Sequence, residues 1–183
     1  MKTNNLIRIF ILILFSLSLS VQAELYTALH GGNTKVLGGD KGVKNGLTGH
    51  TYGATLGYSF PLFLSVEGAY RHLDSKGTVT FNGGNTPTDV SMNVKVLTAG
   101  ARLRFWMFFN VLGGIASYDY KSTATQNGQD ISTWPLNGNK SGSYFGGGIK
   151  IPLPKIDIFS DLIFMTNSPT GHQNIELGIR YFF

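Results

Sequence analysis

Nine charged residues fall on the less apolar sides of alternating runs: Glu67, Arg71, Arg102, Arg104, Lys150, Asp157, Asp161, Glu176 and Arg180. Four are acids and five are bases, so the set is close to balance. Lys150 and Asp157 flank one short turn and are placed to pair across it. Glu67 and Arg71 lie on the run preceding the one that carries Arg102 and Arg104. An isolated buried charge is expensive, so inward charges should pair. Two chemistries fit such a set: a salt-bridge network filling an interior, or a polar path for ions. The four histidines, His30, His50, His72 and His172, show no metal spacing on one strand, so no metal is expected. Ser168 and His172 lie close in sequence, but a hydrolase also needs a third group orienting the base. Without cysteine there is no thiolate catalysis, no Cys-ligated zinc and no disulfide. No catalytic residue and no cofactor are expected.

The elements that position those charges follow from composition and period. Charged residues make up 14% of the 183, well below the usual figure of about 25%. Glycine accounts for 24 residues and aromatics for 13%. Glycine weakens helices, which argues against a helical bundle. The net charge of +5 is scattered, and no nucleic-acid partner is expected. Lys2 and Arg8, an apolar run from Ile9 to Val21, and Val21-Gln22-Ala23 have the form of a signal peptide cleaved after Ala23. Two units are therefore expected: a leader, 1–23, and one domain, 24–183.

From there the chain alternates with period two, the mark of strands whose faces meet different surroundings. His50, Tyr52, Ala54, Leu56, Tyr58 and Phe60 share one face, and Gly49, Thr51, Gly53, Thr55, Gly57 and Ser59 the other. Similar runs cover 64–71, 96–105, 156–165 and 174–183, and weaker ones cover 24–32, 108–120 and 142–151. Gly113-Gly114 blurs the phase of 108–120, which stays unassigned. Eight strands result. Short connections at Pro61-Leu62, Trp106-Met107 and 152–155 alternate with polar, mostly long ones at 33–48, 74–91, 121–141 and 166–173. Asn82-Gly83-Gly84-Asn85 and Asn137-Gly138-Asn139 read as tight turns in that second class.

A soluble sandwich would present a solubilising polar face. Here the second face is Gly, Ser, Thr and a few charges, which suits a narrow interior. In lipid every backbone polar group must pair within the protein, so a sheet has to close. The expectation is all-β: an eight-stranded antiparallel up-and-down transmembrane β-barrel, apolar side outward. Phe60, Phe63, Phe105, Trp106, Phe108, Tyr181 and Phe183 gather near short turns or the C-terminus, as a periplasmic aromatic girdle would. Tyr70, Tyr118, Tyr120 and Tyr144 are expected to form the outer girdle.

The last ten residues, Asn174 to Phe183, resemble the C-terminal assembly signal of outer-membrane proteins, with Ile175, Leu177, Ile179, Tyr181 and the terminal Phe183 at alternating positions. Leu56 to Phe60, followed by Val66 to Arg71, is similar to strands two and three of small barrels of the OmpX, Ail and OmpA membrane-domain type. The resemblance implies insertion by the outer-membrane assembly machinery, residence in the outer membrane with long loops extracellular, and contact with lipid and lipopolysaccharide. It does not imply one activity. Some barrels of this size are lipid A deacylases or palmitoyl transferases. The deacylases carry His-x-Ser-Asn, whereas Met165-Thr166-Asn167-Ser168 here lacks the histidine. The expected role is structural or surface-interacting, not enzymatic, in a monomer with a side-chain-filled lumen. A lipid A-modifying enzyme and a narrow small-solute channel are the alternatives.

Overall fold

The computed structural model describes residues 23–37, 47–61, 63–79, 86–105, 108–131, 137–166 and 171–183. The expected leader lies outside the described residues except for Ala23, as do Asn82 to Asn85, Trp106 and Ser168. Eight long strands run β1 (Glu24–Leu37), β2 (Thr48–Ser59), β3 (Leu64–Val79), β4 (Thr88–Phe105), β5 (Phe109–Gln126), β7 (Gly138–Leu153), β8 (Ile156–Met165) and β9 (Gly171–Phe182). A two-residue β6 (Gln129–Asp130) folds back on the end of β5. Its turn is Asn127-Gly128, both at positive φ (51° and 78°), the backbone of a type I′ hairpin.

Each long strand pairs antiparallel with its chain neighbour, β5 pairing with β7, and β1 closes against β9. The result is a closed eight-stranded antiparallel barrel. The start of β1, the end of β9 and the strand ends joined by short turns share one rim, where Tyr26 sits opposite Phe182 and Glu24 opposite Ser59. The strand ends at Leu37 and Thr48, Val79 and Thr88, Gln126 and Gly138, and Met165 and Gly171 share the other.

Strand parity sets the two surfaces. Leu29, Leu56, Leu97, Ile115, Phe145, Ile158 and Leu177 point outward, and the mid-strand members are as much as 70% exposed. The phase of β5 is resolved as well. Asn110, Leu112, Ala116, Tyr118 and Tyr120 face the lumen, while Phe109, Val111 and Ile115 face out.

Three expectations are corrected. Strands β3, β4 and β5, at 16, 18 and 18 residues, continue into stretches read as loops. About 9–11 tilted residues cross the hydrocarbon, so these strands project past it. Along the projection the alternation persists with its sense inverted. Asp74, Lys76, Lys95 and Lys121 point out, while Leu73, Val79, Val90, Met92 and Val94 point in. Outward polarity was what resembled a loop. Second, Tyr118, Tyr120 and Tyr144 are buried in the lumen; of the expected outer girdle only Tyr70 is exposed. They pack there with Val94, Val96, Leu112 and Ile163. Third, Asn137-Gly138-Asn139 makes no tight turn of its own, because Gly138 begins β7.

Lumen-facing glycines seat large neighbours. A Cβ on Gly57 would collide with the Tyr26 ring, one on Gly178 would come 2.5 Å from Phe159, and one on Gly53 would come 2.7 Å from His30. Overpacking of this kind costs about 1–3 kcal/mol. Gly57→Val should lower barrel stability by about that amount, read as a shift of the urea midpoint for refolding into vesicles. An unchanged midpoint would refute the seat.

Candidate functional site

The lumen is divided along its length. The half nearer the short turns is charged, and the half nearer the long connections is apolar, from Val36, Leu47 and Leu73 to Ile163 and Met165.

Arg102, on β4, is the centre of the charged half. Its Nε donates to Glu67 Oε2 at 2.9 Å and its Nη2 to Asp161 Oδ2 at 2.9 Å. A further bond runs from Nη1 to Asp161 Oδ1 at 3.1 Å, and Nη1 also donates to Asn110. Glu67 comes from β3 and Asp161 from β8, so one guanidinium bridges distant parts of the wall. Bidentate arginine–carboxylate pairs are among the strongest charge-assisted bonds. Tyr26 donates to Glu67 at 2.8 Å.

Two smaller groups flank this centre. Arg71 Nε donates to Glu176 Oε1 at 3.0 Å and its Nη1 to Thr98 at 3.0 Å. His30 Nδ1 lies 3.1 Å from Glu176 Oε2, and His30 Nε2 lies 3.3 Å from Thr55 Oγ1. Nearer the short-turn rim, Asp157 meets Lys150 at 3.0 Å and Arg180 at 3.4 Å. The Arg180 guanidinium lies 4.9 Å from the ring centroids of both Tyr26 and Phe159. The cation is thus placed between two π-faces, which attract it.

All nine charged residues singled out from the sequence are buried or half-buried on the lumen side, and eight meet an opposite charge. Arg104 differs. It donates to Ser59 Oγ and to the Phe60 carbonyl, and meets no carboxylate among the described residues. Sequence reasoning missed Tyr26, His30, Thr98 and Asn110. Tyr26 and His30 share the inward parity of β1, a run whose alternation is blunted by Gly31-Gly32. Asn110 sits on the strand whose phase was unassigned.

The chemistry this arrangement offers is charge neutralisation. Each carboxylate in the charged half is committed to a cation. His172 is 1% exposed, packed at the level where Val36 and Met165 pair beside it. Neither of its ring nitrogens has a partner among the described residues. No group of three or more His, Asp or Glu suited to a metal occurs among the described residues. On β9, Ile175, Leu177, Ile179 and Tyr181 point outward, as does Phe183 just past its end, and the Tyr181 and Phe183 rings meet edge to face at 5.2 Å.

No protein-family model matches the sequence, and no curated protein matches it. Solved structures do. Ail, the attachment invasion locus protein of Yersinia pestis, is similar at TM-score 0.60 and 16% identity, over 89% of this chain and 100% of Ail. Ail in complex with the heparin analogue sucrose octasulfate matches at 0.55 and 15% identity, over the same shares of 89% and 100%. Neisserial surface protein A matches at 0.50 and 11% identity, over 89% and 100%. Identities this low show a shared fold: that of the small eight-stranded outer-membrane barrels.

Removing one partner of a buried ion pair typically costs about 3–5 kcal/mol, because the other charge stays behind. Arg102→Met should destabilise the folded barrel by about that amount, and the Glu67→Gln/Asp161→Asn background should recover much of the loss. Arg104→Met, which strands no carboxylate, should cost far less. Equal urea midpoints for the two single variants would overturn this ordering.

Proposed function

We propose that this chain is a monomeric integral protein of the outer membrane, made with a leader (1–23) that is removed, and that its barrel (24–183) does not conduct. Its role is structural or surface-interacting, with the long connections extracellular. The reading rests above all on Arg102, whose bonds to Glu67 and Asp161 span the bore. An eight-stranded barrel has an interior just wide enough for side chains to fill. The apolar packing around Tyr118 and Tyr144 adds a second obstruction nearer the long connections.

A lipid A-modifying activity finds little support. His172, the nearest candidate base, is buried in the lumen and does not face the lipid. A surface-interaction role is favoured by Lys76, Lys95 and Lys121 on the outer side of the projecting β3–β5 sheet. The Ail complex with sucrose octasulfate gives one class of partner, a polyanion, and lipopolysaccharide phosphates belong to the same class.

Purified barrel added to a planar lipid bilayer should leave the baseline current unchanged, while an unboiled sample should migrate differently from a boiled one on a detergent gel. Reproducible conductance steps of fixed size would overturn the occluded reading. The alternating outward set Ile175, Leu177, Ile179, Tyr181 and Phe183 acts as the signal read by the assembly machinery. Deleting Phe183 should therefore lower the amount of folded barrel in outer-membrane fractions, and normal levels of the truncated chain would refute that role.

A further inference from the structure

Three strand ends meet at one buried imidazole. His172 is the second residue of β9. It lies opposite Val36, next to last on β1, and opposite Met165, the last of β8. The residue is 1% exposed, and neither ring nitrogen has a hydrogen-bond partner among the described residues. A neutral imidazole needs one donor and one acceptor met, whereas an imidazolium brings two donors and a charge.

The surroundings set the cost of that charge. β1 places Thr34 and Val36 on the lumen side, and β8 places Ile163 and Met165 there. β2 brings Thr51, β3 Leu73, and β4 Val94 and Val96. β5 and β7 contribute the phenols of Tyr118, Tyr120 and Tyr144, which are uncharged at neutral pH. Lys140 of β7 shares the lumen parity but is exposed. The next charge along β9 is Glu176, already held by Arg71 of β3 and His30 of β1. The remaining lumen charges, Glu67, Arg102, Lys150, Asp157, Asp161 and Arg180, lie in the charged half and pair with one another. Burial pushes the His172 pKa down from 6.5 to about 4.

Position decides what gives way. Gln173, beside His172, lies opposite Lys35, and the outward apolar belt of β9 begins only at Ile175. His172 therefore sits past the hydrocarbon. Strands that part within hydrocarbon leave their polar groups without partners, while past it water takes them. Strand ends also open at lower free energy than strand centres.

We propose that His172 is an acid-sensitive latch: protonation of its ring parts the ends of β1, β8 and β9 and opens the apolar half of the bore, while the charged half stays closed. The latch goes beyond the structural or surface-interacting reading, and rests on its membrane assignment for the level of the bilayer edge. The sign follows from linkage. The ring binds its proton more weakly closed than open, so its contribution to closure is complete above pH 6.5 and is lost as pH falls toward 4. Between about pH 7.5 and about pH 5 the opening constant should rise about thirtyfold.

The test is amide hydrogen exchange of the full mature chain in lipid nanodiscs at those two pH values, corrected for intrinsic exchange. In wild type, residues 34–37, 163–165 and 171–174 should lose protection about thirtyfold, and residues 176–180 should not change. His172→Phe keeps a ring and takes no proton, so its protection should be the same at both pH values. His72→Gln, on the outer face, should behave as wild type. An equal loss in wild type and His172→Phe would overturn the latch, and so would a loss spread evenly over both halves. Should His172→Phe fail to fold, carbon-13 NMR of the wild-type ring decides. A ring that titrates near its ordinary value while protection persists would overturn the latch as well. The boiled-versus-unboiled gel separates the two failures. A heat-dependent shift with pH-independent protection sinks the latch alone, whereas a wild type without the shift sinks the membrane reading itself.

Discussion

Hydrocarbon offers no hydrogen-bond partner, so a sheet that enters it cannot keep a free edge. That constraint decides most of this molecule. It forces β1 to find β9, aligning Tyr26 with Phe182 through to Leu37 with Gly171. It makes the strand number and the rim positions of turns and termini parts of one solution. It also explains why the chain can leave Leu29, Leu97, Ile115 and Leu177 fully outward. In a water-soluble sheet these side chains would form a core; here the bilayer takes the place of that core.

Closure with eight strands creates a second problem, a bore only as wide as the side chains that enter it. Large residues then need vacated space on the facing wall. The glycines supply it: Gly57 beneath Tyr26, Gly53 beside His30 and Gly178 beneath Phe159. The same narrowness brings Glu67, Arg102 and Asp161 within hydrogen-bond reach from well-separated strands. A buried ion network is weak evidence for stability in general. In this bore it specifies register instead, because a one-residue slip of β4 would turn Arg102 out toward lipid.

What could be read in advance follows from the same physics. The belt-level phase of β2, β4 and β9 was plain because their outward residues are apolar and their inward ones small or charged. The inward placement of the nine charges follows from that parity. Their pairing scheme does not, since which charge faces Arg102 depends on barrel geometry beyond any neighbouring pair. Tyr118, Tyr120 and Tyr144 misled for a related reason. An aromatic near the long-connection rim is as compatible with a girdle as with a plug, and only strand phase separates the two, that of β5 for Tyr118 and Tyr120 and that of β7 for Tyr144. Gly113-Gly114 hides the phase of β5, because residues without side chains carry no polarity signal.

The projecting ends of β3, β4 and β5 show that the alternation rule concerns environment, not residue type. At membrane level the outside is apolar and the lumen holds ions. Past the membrane Lys76, Lys95 and Lys121 meet water, and Val90, Met92, Val94 and Tyr120 make a dry interior like that of a soluble sheet. The level at which the sense inverts marks the edge of the bilayer on the strands themselves. On β1 the inversion falls between Gly31 and Asn33, and on β4 between Leu97 and Lys95. The strand that carries Arg102 within the membrane therefore carries Met92 beyond it on the same lumen-facing parity. The change is in the solvent outside, and the interior is its complement at every level.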